Sequence, residues 1–203
     1  MRISSLFYLL CLAQILLGQA LFARPVILGQ HSSSSANYSG MNGKYKYASA
    51  EFVVRASEIN DSGMISSISF FKCSGDSAIT GIDSVHIYLK ESDTGISKTA
   101  SMSGYTEVFS GVVPTILSKG WIGLTLSSPF LYSGTKNISI LIVRKNGSKI
   151  VSGFPNFAVS FSDKKEYQAA YFLSDNDPWT GTPATSSQNQ YAQYRPYLQL
   201  TID

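Results

Sequence analysis

Lys119 to Phe130 reads Lys-Gly-Trp-Ile-Gly-Leu-Thr-Leu-Ser-Ser-Pro-Phe. Ile122, Leu124 and Leu126 alternate with Gly123 and Thr125, which is the period of a β-strand with one buried face. Pro129 has no N–H to donate, so the ladder is expected to stop there. Ser133-Gly134 then supplies turn chemistry before the next strand.

Runs of this form recur along the chain. Val85, Ile87 and Leu89 share one parity, and His86, Tyr88 and Lys90 the other. Ile138, Ile140 and Ile142 alternate in the same way, as do Phe157, Val159 and Phe161, and finally Leu198, Leu200 and Ile202. Met64–Cys73 is apolar on both parities, which predicts a central strand covered on both faces. Glu51–Arg55 predicts a first short strand, Ala56–Ile59 a loop or helical turn, and Asn146-Gly147 a hairpin to Lys149–Val151. No apolar period of a helix is sustained outside the leader described next. Roughly nine or ten strands with short turns between them predict an all-β, two-sheet antiparallel β-sandwich.

The first residues have the form of an export signal. Arg2 precedes an apolar run from Leu6 to Leu17, and Gly18-Gln19-Ala20 offers small residues for cleavage. The run is shorter than the roughly 20 residues of a membrane span. The expected organisation is a signal peptide over 1–20, a Ser/Asn/Gly-rich tail or linker over 21–47 and the sandwich over 48–203. No membrane span is expected once the signal is removed, and the address is secreted, periplasmic or cell-surface. Signal removal takes Cys11 with it and leaves Cys73 without a disulfide partner. Its expected role is that of a small hydrophobic residue.

The charge balance argues against nucleic acid as a partner. The formal charge is +3, and the only adjacent basic pairs are Lys164-Lys165 and Arg144-Lys145. Catalysis finds no support either. His31 lies in the Ser-rich stretch and His86 on the polar parity of a strand, with no nucleophile elbow or metal-ligand spacing near them. Glu51, Glu58, Glu91, Glu107 and Glu166 are each expected on solvated surface. No cofactor is expected. Trp121 has the parity opposite to Ile122, so it either turns into the core at a bulge or covers the other face.

An ordered set of short segments carries a family resemblance. It comprises Ala56–Ile59, Gly63–Phe70, His86–Leu89, Val108–Val112, Gly120-Trp121, Pro129–Gly134, Asn137-Ile138 and Tyr194-Arg195-Pro196. Together they resemble the jelly-roll-like β-sandwich module of secreted and surface proteins of Bacteroidetes-type bacteria. The resemblance spans about residues 45–203. It implies a non-catalytic module with an adhesive or carbohydrate-binding-like role, and a structural Trp at position 121. It supplies no binding residues.

The candidate site in the sequence is the Ser174–Gln193 stretch, the longest polar connection of the domain. It holds Asp175, Asn176, Asp177, Trp179 and Tyr191 together, and function in a β-sandwich commonly sits on such loops. An indole beside amide and carboxylate groups suits a sugar, with its apolar C–H face and its hydroxyls. The same oxygens suit Ca²⁺ in part, but that cation takes six to eight ligands and only part of a cage is visible. A plain solvated turn with Trp179 capping the core is the third reading. The partner is therefore a glycan or another surface polymer, or else a protein contacted by an adhesive subunit.

Overall fold

The computed structural model describes residues 23–32, 35–36, 40–41, 43–74, 81–96, 102–114, 118–151, 153–161, 169–180 and 190–203. The signal segment 1–20 lies outside the described residues. The strands are β1 (Arg24–Leu28), β2 (Ser35–Ala36), β3 (Tyr47–Val54), β4 (Gly63–Ser74), β5 (Ile82–Ser92), β6 (Thr106–Val113) and β7 (Gly120–Tyr132). They continue with β8 (Asn137–Arg144), β9 (Asn156–Phe161), β10 (Ala169–Ser174), β11 (Gln190–Ala192), β12 (Tyr194–Pro196) and β13 (Leu198–Ile202). One short helix, α1 (Ala56–Ile59), follows β3.

The strands form two antiparallel sheets. The first runs β1-β13-β4-β9-β12, with β7 pairing β4 and β2 pairing β9; the second runs β11-β10-β3-β8-β5-β6. From β3 onward the chain passes repeatedly from one sheet to the other, which is the jelly-roll-like pattern. The core lies between the sheets. Val85, Ile87 and Leu89; Ile122, Leu124 and Leu126; and Leu198, Leu200 and Ile202 are all buried. Ile68, Phe70, Ile140 and Ile142 join them. Phe161, which ends the alternating run from Phe157, is instead 54% exposed.

Four local expectations are corrected. Residues 21–47 are not a plain tail: Arg24–Leu28 pairs residue for residue with Leu198–Ile202, and Ser35–Ala36 pairs with β9. Val26 and Leu28 carry the alternation that puts this strand on the core. Pro129 does not end β7. Thr125 pairs with Ser67 and Phe130 with Ile65, so Leu126–Pro129 bulges out of the ladder and the strand then resumes. Asn146-Gly147 does not make a hairpin. Gly147 N–H instead bonds Lys46 C=O, and a Cβ at 147 would lie 2.3 Å from the Arg144 guanidinium carbon. Finally, Glu51 is not a surface residue; it is 4% exposed, on the outer face of the second sheet.

Two buried arginines brace the ends of the sandwich. Arg144 pairs with Asp83 at 2.6 Å and bonds the carbonyls of Asp83 and Ser148. Arg195 pairs with Glu58 and bonds Leu28 C=O, joining α1, β1 and β12. Among the described residues no helix is long and apolar enough to cross a membrane.

Candidate binding surface

The outer face of the first sheet follows from the same alternation that builds the core. When Ile68 and Phe70 point in, Ser67, Ser69 and Phe71 of β4 point out. The same holds for Trp121, Gly123 and Thr125 of β7, and for Tyr197, Gln199 and Thr201 beside and within β13. Register lines these residues up in rows across the sheet. Ser67 lies between Thr201 and Thr125, and Ser69 between Gln199 and Gly123. Phe71 lies opposite Trp121, and its N–H bonds Tyr197 C=O. Edge strand β1 extends two rows with Pro25 and Ile27, and Ile27 is 52% exposed.

One end of this face is aromatic. The rings of Phe71 and Trp121 are 5.3 Å apart, those of Trp121 and Tyr197 5.0 Å, and those of Phe71 and Tyr197 6.1 Å. His31 completes the cluster edge-on, 5.0 Å from Phe71 and 5.5 Å from Tyr197. Most of these contacts have the edge-to-face geometry that the ring quadrupole favours. Phe71, Trp121 and Tyr197 are half-buried and His31 is exposed, so the cluster presents ring surface to solvent. Trp121 thus covers the outer face of its sheet. Gly29 delivers His31: its φ is +88°, and a Cβ there would sit 2.2 Å from Ser160 Oγ, so the chain leaving β1 can press against β9 only without a side chain.

The rest of the face is small and polar. Ser67 Oγ donates to Thr201 Oγ1 at 2.7 Å. Gly123 leaves the floor low between Trp121 and Thr125. No charged side chain belongs to these rows; Lys72, the next residue of β4, is buried on the inner side.

The residues singled out in the sequence lie elsewhere. Ser174 belongs to the end of β10, and its Oγ accepts the N–H groups of Asn176 and Asp177 while donating to Asp177 Oδ2. Asp175 takes the Lys149 ammonium on Oδ2 at 2.5 Å and the Lys46 N–H on Oδ1. That Lys149 hydrogen bond holds the Asp175 carboxyl below its ordinary range. These carboxylates therefore form a tight polar turn, with Asn176 and Asp177 exposed. Trp179 leaves the turn and packs on the outer face of the second sheet, against Tyr88, Leu141 and Val143. Among the described residues its buried indole N–H has no partner. Tyr191 pairs through its backbone with Ala170 in β11–β10, which separates it from the turn; its side chain lies outside the described residues, as do residues 181–189.

The same face of the second sheet carries a polar group that sequence reasoning missed. Glu51 Oε1 accepts from Tyr105 Oη at 2.6 Å and from Ser139 Oγ at 2.8 Å. Lys90 Nζ sits 4.2 Å over the Tyr105 ring. Burial, reinforced by the Glu51 charge, pushes the Tyr105 hydroxyl far above its ordinary pKa and keeps it a donor. Among the described residues the outer face of the second sheet is thus covered around Glu51, Leu141 and Val143, whereas β4, expected to be covered on both faces, leaves Phe71 half-exposed on the outer face of the first. Among the described residues no group of three His, Cys, Asp or Glu side chains is placed to hold a metal ion.

No protein-family model matches the chain, and no curated protein matches it. Among solved structures it is similar to the cysteine protease and lectin-like domains of Cwp84, a surface-layer-associated protein of Clostridium difficile. That match has a TM-score of 0.44 and 13% identity, over 77% of this chain and 32% of the other. A second similar structure is the clostridial cysteine protease Cwp84 after propeptide cleavage, with a TM-score of 0.42 and 13% identity over 77% and 36% of the two chains. The chain spans about a third of the length of these structures.

Proposed function

We propose that the protein is a non-catalytic secreted or cell-surface module that binds a glycan or another surface polymer through the outer face of its first sheet. The observation that carries this reading is the half-exposed cluster of His31, Phe71, Trp121 and Tyr197 beside a floor of hydroxyl and amide groups. Pyranose rings are amphipathic in the same way, with apolar C–H faces and polar rims. Recognition sites for such ligands combine aromatic surface with a few convergent polar groups. The apolar leader Leu6–Leu17 supports the address.

A pull-down on insoluble polysaccharides together with a glycan array supplies the test. Trp121→Ala and Tyr197→Ala are expected to lose the bound glycan while remaining folded. Trp179→Ala and Asp177→Ala, on the opposite sheet and its turn, are expected to retain it. The reverse pattern moves the site to the 174–193 loop, and absence of any binding glycan overturns the proposal.

One observation favours the alternative of an adhesive subunit that works through protein contacts. Among the described residues β1 pairs only with β13, which leaves its other edge available with Ile27 exposed beside it. Concentration-dependent self-association abolished by Ile27→Lys, with no glycan binding, is the result that selects it.

A further inference from the structure

Resting on the reading of the first sheet's outer face as the glycan site, we infer that its ligand is a neutral, unbranched chain of about three pyranose rings lying along β4, rather than an acidic polymer or a single terminal sugar. Charge, length and relief of the face all point this way.

The rows from Thr201-Ser67-Thr125 to Tyr197-Phe71-Trp121 carry hydroxyl, amide, glycine and aromatic groups, Pro25 and Ile27 of β1 extend two of them, and the titratable His31 imidazole lies at the aromatic end. An acidic polysaccharide needs cations spaced along its path. Of the nearby cations, Arg24 is held by Asp61 at 2.9 Å, and Lys72 is buried on the inner side. Lys119 lies in the bend before β7, beyond the aromatic row, where it reaches one end of a ligand and not its length.

From Ser67 to Phe71 is four residue steps, or about 13 Å at the rise of a β-strand. That exceeds one sugar ring and matches about three. The chemistry also changes along this length. The aromatic row offers a stacking surface, the middle row offers the Gln199 amide above a buried Ser69, and the last row offers the hydroxyls of Ser67, Thr201 and Thr125. A single ring on the aromatic row leaves the other two rows unused.

Gly123 shapes the path. It is exposed, and a Cβ built on it would meet only Ser69 Oγ, at the ordinary contact distance of 3.4 Å. Its backbone is therefore not one that demands glycine, and a branched residue is well suited to a strand. What glycine provides there is a low point along β7, between Trp121 and Thr125, over which a chain lying along β4 passes from the aromatic row to the hydroxyl row.

The test is an affinity series by isothermal calorimetry on the glycans captured by an array of neutral and acidic oligosaccharides, each at one, two and three rings. The expected result is capture of neutral chains, with affinity rising at least about tenfold from one ring to three and little affected by salt. Gly123→Val, which keeps the fold, is expected to bring the three-ring affinity down to that of one ring. Preferential, salt-sensitive capture of acidic chains overturns the inference. So does equal affinity for one ring and three, or a Gly123→Val protein that binds three rings as the parent does. In each of those cases the glycan reading itself survives. If no glycan of either class binds, both fall together.

Discussion

Replacing Tyr105 with Phe removes a single oxygen, and the structure gives the consequence a size. The ring stays beneath Lys90, so packing is conserved. What is lost is one of the two donors to Glu51 Oε1; Ser139 Oγ remains at 2.8 Å. Among the described residues Glu51 Oε2 has no partner, so the carboxylate is left in a covered site with one hydrogen bond. A hydrogen bond to a charged group is worth about 1.5–3 kcal/mol, and loss of a donor at a buried acceptor adds a desolvation penalty. Tyr105→Phe is therefore expected to cost about 2–3 kcal/mol. With an m-value of roughly 2 kcal/mol/M, the urea midpoint should fall by about 1–1.5 M at unchanged slope. A loss below about 0.5 kcal/mol would refute the reasoning. A second variant separates orphaned charge from damaged packing. Combining Glu51→Met with Tyr105→Phe and Ser139→Ala removes the charge and both donors together, and buried ionic groups replaced in this way by apolar ones commonly recover stability. The triple variant should be more stable than Tyr105→Phe alone. If it is equally unstable, the cost lies in packing.

Further expectations follow from the core and the end braces. Leu126→Ala should cost about 2–5 kcal/mol by urea unfolding, since Leu126 is 5% exposed and faces the main core. Arg195→Met should cost about 2–3 kcal/mol, less than the roughly 3–5 kcal/mol of a fully buried broken pair, because Glu58 keeps 35% of its side-chain exposure and can be hydrated. Asp83 supplies a pH dependence. Burial raises its pKa, but hydrogen bonds from Ser148 and Arg144 outweigh that and leave it below 3.8 in the folded protein. The folded state then binds fewer protons than the unfolded one. The contribution is fully present above the unfolded value and is lost as pH falls through the lowered one. Urea midpoints of Asp83→Asn should therefore fall less steeply than the parent's as the pH drops below about 4.

The core was legible in the sequence because alternation is local. Val85-His86-Ile87-Tyr88-Leu89 states which side chains face inward without reference to any partner. The candidate binding surface was only half legible. Phe71, Trp121 and Tyr197 each have the parity opposite to a core neighbour, which marks them as outward-facing. That they meet depends on the register of Leu198–Ile202 against β4, a pairing across more than a hundred residues that no local pattern encodes. His31 was farther from reach, since its place depends on Gly29 turning the chain against Ser160. Glu51 was misread for a related reason. Its parity opposite Phe52 correctly assigns it to the outer face, but the group over it is Tyr105, far along the chain. The 174–193 stretch was chosen for its composition, and its residues then divided: Asp175 and Asp177 serve the turn, and Trp179 the second sheet.

The two outer faces make stability and binding separable, and this yields a sharper expectation than either face alone. Tyr105, Glu51 and Trp179 act on the second sheet, and the main core lies between them and the first. Perturbations there should lower the unfolding midpoint while leaving the surviving folded molecules unchanged at Trp121. Trp121 and Tyr197 are half-buried on an open face, so truncating them removes less apolar area from the fold than truncating Phe70 beneath them. The cost to stability should be modest, and the cost to glycan affinity large. A Tyr105→Phe/Trp121→Ala double variant should accordingly show both losses and no coupling between them, within the roughly 0.3–0.5 kcal/mol expected of sites without shared partners. Coupling well above that, measured as a dependence of glycan affinity on Tyr105 at temperatures where every variant is folded, would mean that the core transmits strain between the sheets and that the two faces cannot be treated as independent.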